Sequence, residues 1–284
     1  MSCATESDNY GLQYKILGLD QKWTGGDMSK GPGGGMKLNL LKQELKDYES
    51  DTIILFSDSY DVIFLSGEEE IMDKYLSFKT DLLFAGEKVC WPDKSMEYLF
   101  TEDSPYRYIN SGGFIGKVSI IKELLDVDFQ DSFDDQYFIH SRYLEYKNHI
   151  KIDLKCEIFQ TSCPDFSDIE IIYPKNRLKN KIYNTYSCHY HGNGGMNIKI
   201  KYNNYCNYLL KQWNPTYQCC LEKKDINDKL IYIFKQQKLD MGKKMYNYFI
   251  FSSGTTLIII NDSISECKFI ITLNSPTDLI SLTG

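Results

Sequence analysis

Asp58 and Asp61 stand three residues apart in TIILFSDSYDVIF, directly after a run of apolar, β-favouring residues. Carboxylates at the end of a buried strand need a positive partner or neutralisation. A Mg²⁺ or Mn²⁺ ion meets that need, because such ions bind through one or two carboxylates together with substrate phosphates. The same spacing suits a plain turn in which Asp58 caps local backbone and Asp61 is solvated. Further along, CHYHGNGG carries His189 and His191, which point the same way on a strand. Gly192 and Gly194 follow them, where backbone has to approach something closely. Imidazole joins carboxylates on a transition metal, so two carboxylates and one imidazole, completed by phosphate oxygens, favour Mn²⁺. Taken alone, a histidine beside a Gly-Asn-Gly turn is more often structural.

Three more stretches carry chemistry. WTGGDMSKGPGGGMK is glycine-rich and opens a helix near Met36. Its backbone amides and the helix N-terminus can hold a diphosphate, with Lys37 adding charge, or the stretch is a plain surface loop. It is not a P-loop, because Lys37 follows Met36 rather than a glycine. In DSFDDQYFIH, Asp134 and Asp135 lie in the first turn of an expected helix. There they complement the helix dipole, or they face an acceptor hydroxyl or a developing cation. In EKVCWPDK, Glu87 is either catalytic or paired with a lysine, and Trp91 is either core or a lid over a sugar. RYINSGGFIG reads as a plain turn, or as glycines that leave room for a hexose near Asn110.

These residues need a frame. Short apolar runs alternate with helical patterns over the first two thirds of the chain. SCAT, YKILGL, TIILF, DLLFAG, IKIDL and EIFQT read as strands. Leu38, Leu41, Leu45 and Tyr48 share a face and predict a helix over Met36–Glu49. EEEIMDKYLSF, SIIKELL and DDQYFIHSRYLEY are the other helices. Such alternation predicts a layered α/β domain over residues 1–214 with a mostly parallel central sheet. Ligands then sit at the carboxyl ends of the strands, where Asp58 and Asp61 fall. NPTYQCC marks a boundary, and the short runs beyond it predict a small β-rich module over 215–284. Its apolar strands can cover an edge of the main domain or a second copy of the chain, which would make a homodimer.

Composition narrows the function classes. The chain has 284 residues, is 42% hydrophobic, and carries a formal net charge of −7 with a pI of about 5.2. That is enough apolar material for a core, and the absence of a long basic run argues against nucleic acid as a partner. No apolar run reaches the ~20 residues of a membrane span. The opening MSCATESDNYG lacks the basic and apolar regions of a signal peptide. Nine cysteines with no C-x-x-C pair favour reduced thiols, so a cytoplasmic setting is expected, with a secretory compartment as the alternative.

WTGGD…GGGMK, FSDSYDVIF, CWPDK, YINSGGFIG, DDQYF, KCEIFQT and HGNGG follow one another in an order that resembles the glycosyltransferase domain of the multifunctional procollagen lysyl hydroxylases. The resemblance covers roughly residues 2–213 and is to a stand-alone, giant-virus kind of member. It implies a GT-A-type, Rossmann-like glycosyltransferase fold, a Mn²⁺ cofactor and a UDP-glucose donor. The implied acceptor is galactosyl-hydroxylysine of collagen or a collagen-like protein. By motif, Asp58, Asp61 and His191 resemble the metal ligands, Lys37 a diphosphate contact, and Tyr60, Cys3 and Thr5 the uridine-side wall. Trp91 resembles the residue that gates the sugar pocket. Glu87, Asn110, Asp134 and Asp135 resemble those around the transferred hexose and the acceptor, and Trp23 a support of the glycine-rich loop. No H-x-D with a distant histidine supplies the iron triad of the lysyl hydroxylases, so hydroxylation is not expected. Two alternatives stand beside this one: galactose transfer from UDP-galactose to hydroxylysine, and a non-catalytic collagen-binding or dimerising module.

Overall fold

The computed structural model describes residues 10–18, 21–26, 31, 33–59 and 61–213, together with the strands between 219 and 283. SCAT, Cys3, Thr5 and Tyr60 lie outside the described residues. The chain divides into two compact units, residues 1–202 and 203–284.

The first unit is a mixed α/β fold. Helix α1 (Gly35–Glu44) leads to β1 (Ile53–Ser57) and β2 (Val62–Phe64). Then come α2 (Glu68–Phe78), β3 (Leu82–Glu87), β4 (Tyr108–Lys117), α3 (Val118–Leu124) and α4 (Asp135–Tyr146). Strands β5 (Ile150–Asp153), β6 (Phe159–Thr161), β7 (Ile169–Ile172), β8 (Arg177–Asn180), β9 (Thr185–Tyr186) and β10 (His189–His191) follow, and α5 (Met196–Trp213) begins in this unit and runs on past its end.

The main sheet has the order β1-β4-β3-β5, and a smaller one the order β2-β10-β6. In the main sheet β1–β4 and β3–β4 are antiparallel and only β3–β5 is parallel. In the smaller sheet β10 runs antiparallel to β2 and parallel to β6. The expectation of a mostly parallel sheet is therefore corrected. A parallel pair needs a crossover, and α3 and α4 supply it between β4 and β5. Between β3 and β4 there is only a 3₁₀ turn, Lys94–Leu99, so β4 returns antiparallel.

Two further expectations change. YKILGL forms no strand over its described residues: Tyr14 and Ile16 are exposed, and Gly18 sits at φ +71, which ends any extended run. NSGGFIG is not a turn but the middle of β4, the longest strand of this unit. Its pairing with β3 jumps from Phe84↔Phe114 to Ala85↔Asn110, so Ser111, Gly112 and Gly113 arch away from β3.

The pleat of β3 divides the core. Leu82 and Phe84 face α1, α3 and α4 with Leu38, Leu41, Leu45, Phe114 and Ile139, while Leu83 and Ala85 face Ile71, Tyr75, Ile115 and Phe159. This fixes the frame rigidly on both faces. Because β4 is antiparallel to β1 and β3, its Asn110–Gly113 start lies at the same edge as the ends of β1 and β3. The N-termini of α1 and α4 meet there too, through a backbone bridge between Gly34 and Asp134.

In the second unit β11 (Cys219–Ile226), β12 (Lys229–Asp240), β13 (Lys243–Ser252) and β14 (Thr255–Asn261) form an antiparallel meander in sequence order. Strands β15 (Lys268–Thr272) and β16 (Ile280–Thr283) pair antiparallel.

Candidate active site

Asp58 leaves the end of β1, Asp61 precedes β2, and His191 ends β10. One ligand atom from each lies within 4.8 Å of the others. His191 Nε2 is 3.3 Å from Asp61 and 3.8 Å from Asp58. Both aspartates are held by their backbones: the Asp58 N–H donates to Gly112 O at 2.9 Å, and the Asp61 carbonyl accepts from Gly192 N at 2.7 Å.

A divalent ion fits this set. His191 Nδ1 lies 3.1 Å from Asn110 Oδ1, an oxygen that also accepts from Gly112 N. Asn110 Nδ2 donates to Glu87 at 3.1 Å, which fixes the amide's orientation. Nδ1 therefore carries a proton, and Nε2 is the nitrogen that faces the carboxylates, where its own proton can give way to an ion, the arrangement that ligating histidines require. Gly112 supplies the room. A Cβ there would lie 2.5 Å from the His191 ring and 2.8 Å from Asp58 Oδ2. Burial opposes ionisation of Asp61, but His191 overrides it and holds the carboxyl down at about 2. Burial likewise opposes charge on His191, and Asp61 and Asp58 raise its pKa in spite of it.

Lys37, in the first turn of α1, reaches between the two acidic pairs. Its Nζ is 2.8 Å from Asp58 Oδ1 and 2.7 Å from Asp135 Oδ2. Burial opposes its charge, yet the two carboxylates hold its pKa well above the ordinary lysine value. The amides expected to hold a diphosphate are used otherwise. Gly33 N donates to Asp134 Oδ2, Gly34 N to Gly25 O, Gly35 N to Phe133 O and Met36 N to Asp131 O. Of the described part of that stretch, the Lys37 ammonium is what faces the site. The reason is the segment before α4, which lies against the end of the glycine-rich stretch and takes its donors. Trp23 Nε1 donates to Gly26 O at 2.6 Å, and its ring leaves no space for a side chain at Gly25.

The acidic helix start is asymmetric. Asp134 is the N-cap of α4, accepting from Tyr137 N at 2.7 Å and from Gly33 N at 3.1 Å. Burial raises its pKa, with those amides pulling the other way. Asp135 faces inward, accepting from Ser111 Oγ at 3.0 Å as well as from Lys37.

Glu87 ends β3 and is 3% exposed. It accepts from Asn110, from Gln136 Nε2 and, at 3.2 Å, from Asn193 Nδ2. Burial pushes its carboxyl up to about 7 despite these donors. No lysine pairs with it among the described residues; Lys88 turns instead to Asp165 and Asp168. Trp91 is 50% exposed, so it is not core, and its carbonyl accepts from Gln136 Nε2. Gly194 sits at φ +128 in the turn after His191, a conformation suited to glycine.

Several members of the site have no strong signal in the sequence. Gln136 joins Glu87, the Trp91 carbonyl and Ser111 N; its one signal is its place next to Asp135. Asn193 carries the signal of lying inside the His-Gly-Asn-Gly turn. Gly112 makes space for His191 and Asp58, a role its sequence context does not announce.

This geometry and the mixed α/β fold are consistent with a GT-A-like domain. The chain belongs to the family described as the PLOD GT domain, which matches residues 3–219. It is 37% identical over 225 residues to a procollagen-lysine,2-oxoglutarate 5-dioxygenase of Drosophila melanogaster, covering 75% of this chain and 31% of that protein. It is 35% identical over 220 residues to the multifunctional procollagen lysine hydroxylase and glycosyltransferase LH3 of Rattus norvegicus, covering 74% and 29%. A protein of Acanthamoeba polyphaga mimivirus, R699, is 38% identical over 188 residues, covering 65% and 41%. The chain thus spans less than half the length of each of these relatives. No helix among the described residues is long and apolar enough to cross a membrane.

Proposed function

We propose that the chain is a manganese-dependent, retaining glycosyltransferase that moves glucose from UDP-glucose to galactosyl-hydroxylysine of collagen or a collagen-like protein. The observation that carries this reading is the convergence of Asp58, Asp61 and a tautomerically fixed His191. The name of LH3, a lysine hydroxylase and glycosyltransferase of procollagen, supports the acceptor class.

Asp58, Asp61 and His191 would hold the Mn²⁺, which neutralises the charge that grows on UDP as it leaves. Lys37, already charged between Asp58 and Asp135, donates to the same diphosphate. Preorganised charge of this sort is usually the largest catalytic contribution. Tyr60, Cys3 and Thr5 receive the uridine, and Trp23 stiffens the glycine-rich stretch. Glu87 and Asn110 border the hexose, with the half-exposed Trp91 across it. Asp135 orients the acceptor hydroxyl on the face that UDP vacates, and no covalent nucleophile is assigned. Asp134 acts through the helix start it caps.

The test incubates the full chain with Mn²⁺, UDP-glucose or UDP-galactose, and a peptide bearing hydroxylysine or galactosyl-hydroxylysine, with mass spectrometry of the product. A hexose added from UDP-glucose to the galactosylated peptide, and lost in Asp61→Ala, is expected. Addition from UDP-galactose to bare hydroxylysine would move the reading to a galactosyltransferase. No addition under any combination would overturn it.

A further inference from the structure

One buried imidazole is left unused by the chemistry above. His189 has no exposed surface, and its ring stands edge-on to Phe64 and Phe159 at centroid distances of 5.2 and 5.3 Å. Its Nε2 lies 2.7 Å from Ser57 Oγ. The same hydroxyl lies 2.7 Å from the Asp58 carbonyl, an oxygen that can only accept. The serine proton therefore goes to the carbonyl, and the serine oxygen accepts the Nε2–H of His189. That leaves His189 Nδ1 a bare acceptor with no partner in a pocket of aromatic edges. An apolar ring would fill such a pocket without that desolvation cost. The packing gains nothing from the imidazole; its contribution is the single bond to Ser57.

We propose that His189 and Ser57 are positioning residues for the first cation ligand, acting as a relay from His189 through Ser57 to the Asp58 carbonyl. The inference rests on the cation site proposed for Asp58, Asp61 and His191. The N–H of Asp58 is already fixed on Gly112 O at 2.9 Å. The relay fixes the carbonyl at the other end of the residue, so only the side-chain torsions remain to be set when an ion binds. Without it the Asp58 backbone is free to turn, and its carboxylate follows Lys37 rather than His191. Gly113 belongs to the same device, because a Cβ there would lie 3.0 Å from Phe159 and 3.4 Å from the His189 ring. Adjacent glycines in β4 thus seat two histidines: Gly112 the ligand, Gly113 the one that steadies its partner.

The experiment measures the Mn²⁺ dissociation constant of the full chain without sugar nucleotide, by electron paramagnetic resonance, alongside the melting temperature. Ser57→Ala and His189→Phe are each expected to weaken Mn²⁺ about tenfold, the usual scale for groups that orient ligands. The double variant should be no worse than either single one, since both break one chain. His189→Gln, whose amide can donate from the Nε2 position, should recover most of the affinity. Asp61→Ala serves as the reference and should lose Mn²⁺ binding altogether. If Asp61→Ala loses the ion while Ser57→Ala and His189→Phe bind it as the parent does, the relay is wrong and the cation site stands. A melting-point change alone, with affinity intact, overturns the relay in the same way. If Asp61→Ala itself binds as the parent does, both fall. Should His189→Phe not fold, Ser57→Ala decides the matter alone.

Discussion

Asp58 with Asp61 and Asp134 with Asp135 are two acidic pairs at one edge of one sheet, and they are put to different use. In the first pair the backbones are tethered and each carboxylate keeps an oxygen turned towards His191. In the second pair the carboxylates themselves are engaged: Asp134 takes two backbone N–H groups, and Asp135 takes Ser111 and Lys37. A carboxylate keeps an oxygen for an ion when its main chain takes up most of its neighbours: Asp58 gives Oδ1 to Lys37 and still turns Oδ2 towards His191. Lys37 joins the two pairs and belongs to both.

The largest effect that would test this contrast is on the first pair. Asp61→Asn should lower kcat/KM on the order of a thousandfold, since an ion is worth several kcal/mol and each decade costs about 1.4 kcal/mol. Steady-state kinetics across Mn²⁺ concentrations checks it, and near-parent activity would erase the difference between the pairs. Gly112→Ala comes next. Its Cβ would press on both His191 and Asp58, so Mn²⁺ affinity should fall roughly 10- to 100-fold. Calorimetric titration reads that number.

The pH response separates carboxylates by the sign of their shift. Asp61 is held at about 2 against an ordinary 3.8, so its stabilisation is complete above the ordinary value and is lost as pH falls through the window down to 2. Glu87, between the pairs, is pushed from 4.5 up to about 7, so its folded form prefers the proton. Stability therefore declines as pH rises from 4.5 to 7 and is flat beyond. In metal-free protein Glu87→Gln should remove that decline, seen as parent and variant urea midpoints that diverge across this window. Midpoints that stay parallel would show that Glu87 titrates as a solvated acid. The smallest effect falls on the second pair. Asp134→Ala should cost about 1 kcal/mol through loss of the helix cap, with Asp134→Asn restoring most of it. Mn²⁺ affinity should stay unchanged in both; a weakened affinity would make Asp134 part of the ion site after all.

Much of this is legible in the residues alone. Helical periodicity locates α1 through Leu38 and Leu41, although the helix expected to reach Glu49 ends at Glu44 and passes into a 3₁₀ turn over Leu45–Asp47, and EEEIMDKYLSF is α2 to the residue. The approach of His191 to Asp58 and Asp61 is expected from ligand chemistry and from the order of the motifs. What the residues conceal is partnership across long separations. Nothing near Asn110 announces that its oxygen will hold His191, or that Ser57 will meet His189. Ser111, Gly112 and Gly113 disguise β4 because glycine has little β-propensity and usually punctuates turns. The sheet's direction is hidden for a similar reason: apolar runs announce strands but not whether a helix or a short turn brings the chain back.

Strand β10, which carries both histidines, lies between β2 and β6 although it follows both in the chain. During synthesis the two outer strands therefore emerge first and present bare hydrogen-bonding edges to each other across a gap. Open edges of that kind recruit foreign strands, so the nascent domain is most exposed to mispairing until residues 189–191 leave the ribosome and slide in. The corner where Asp58 and Asp61 meet His191 therefore cannot form until the last of its three residues has been made.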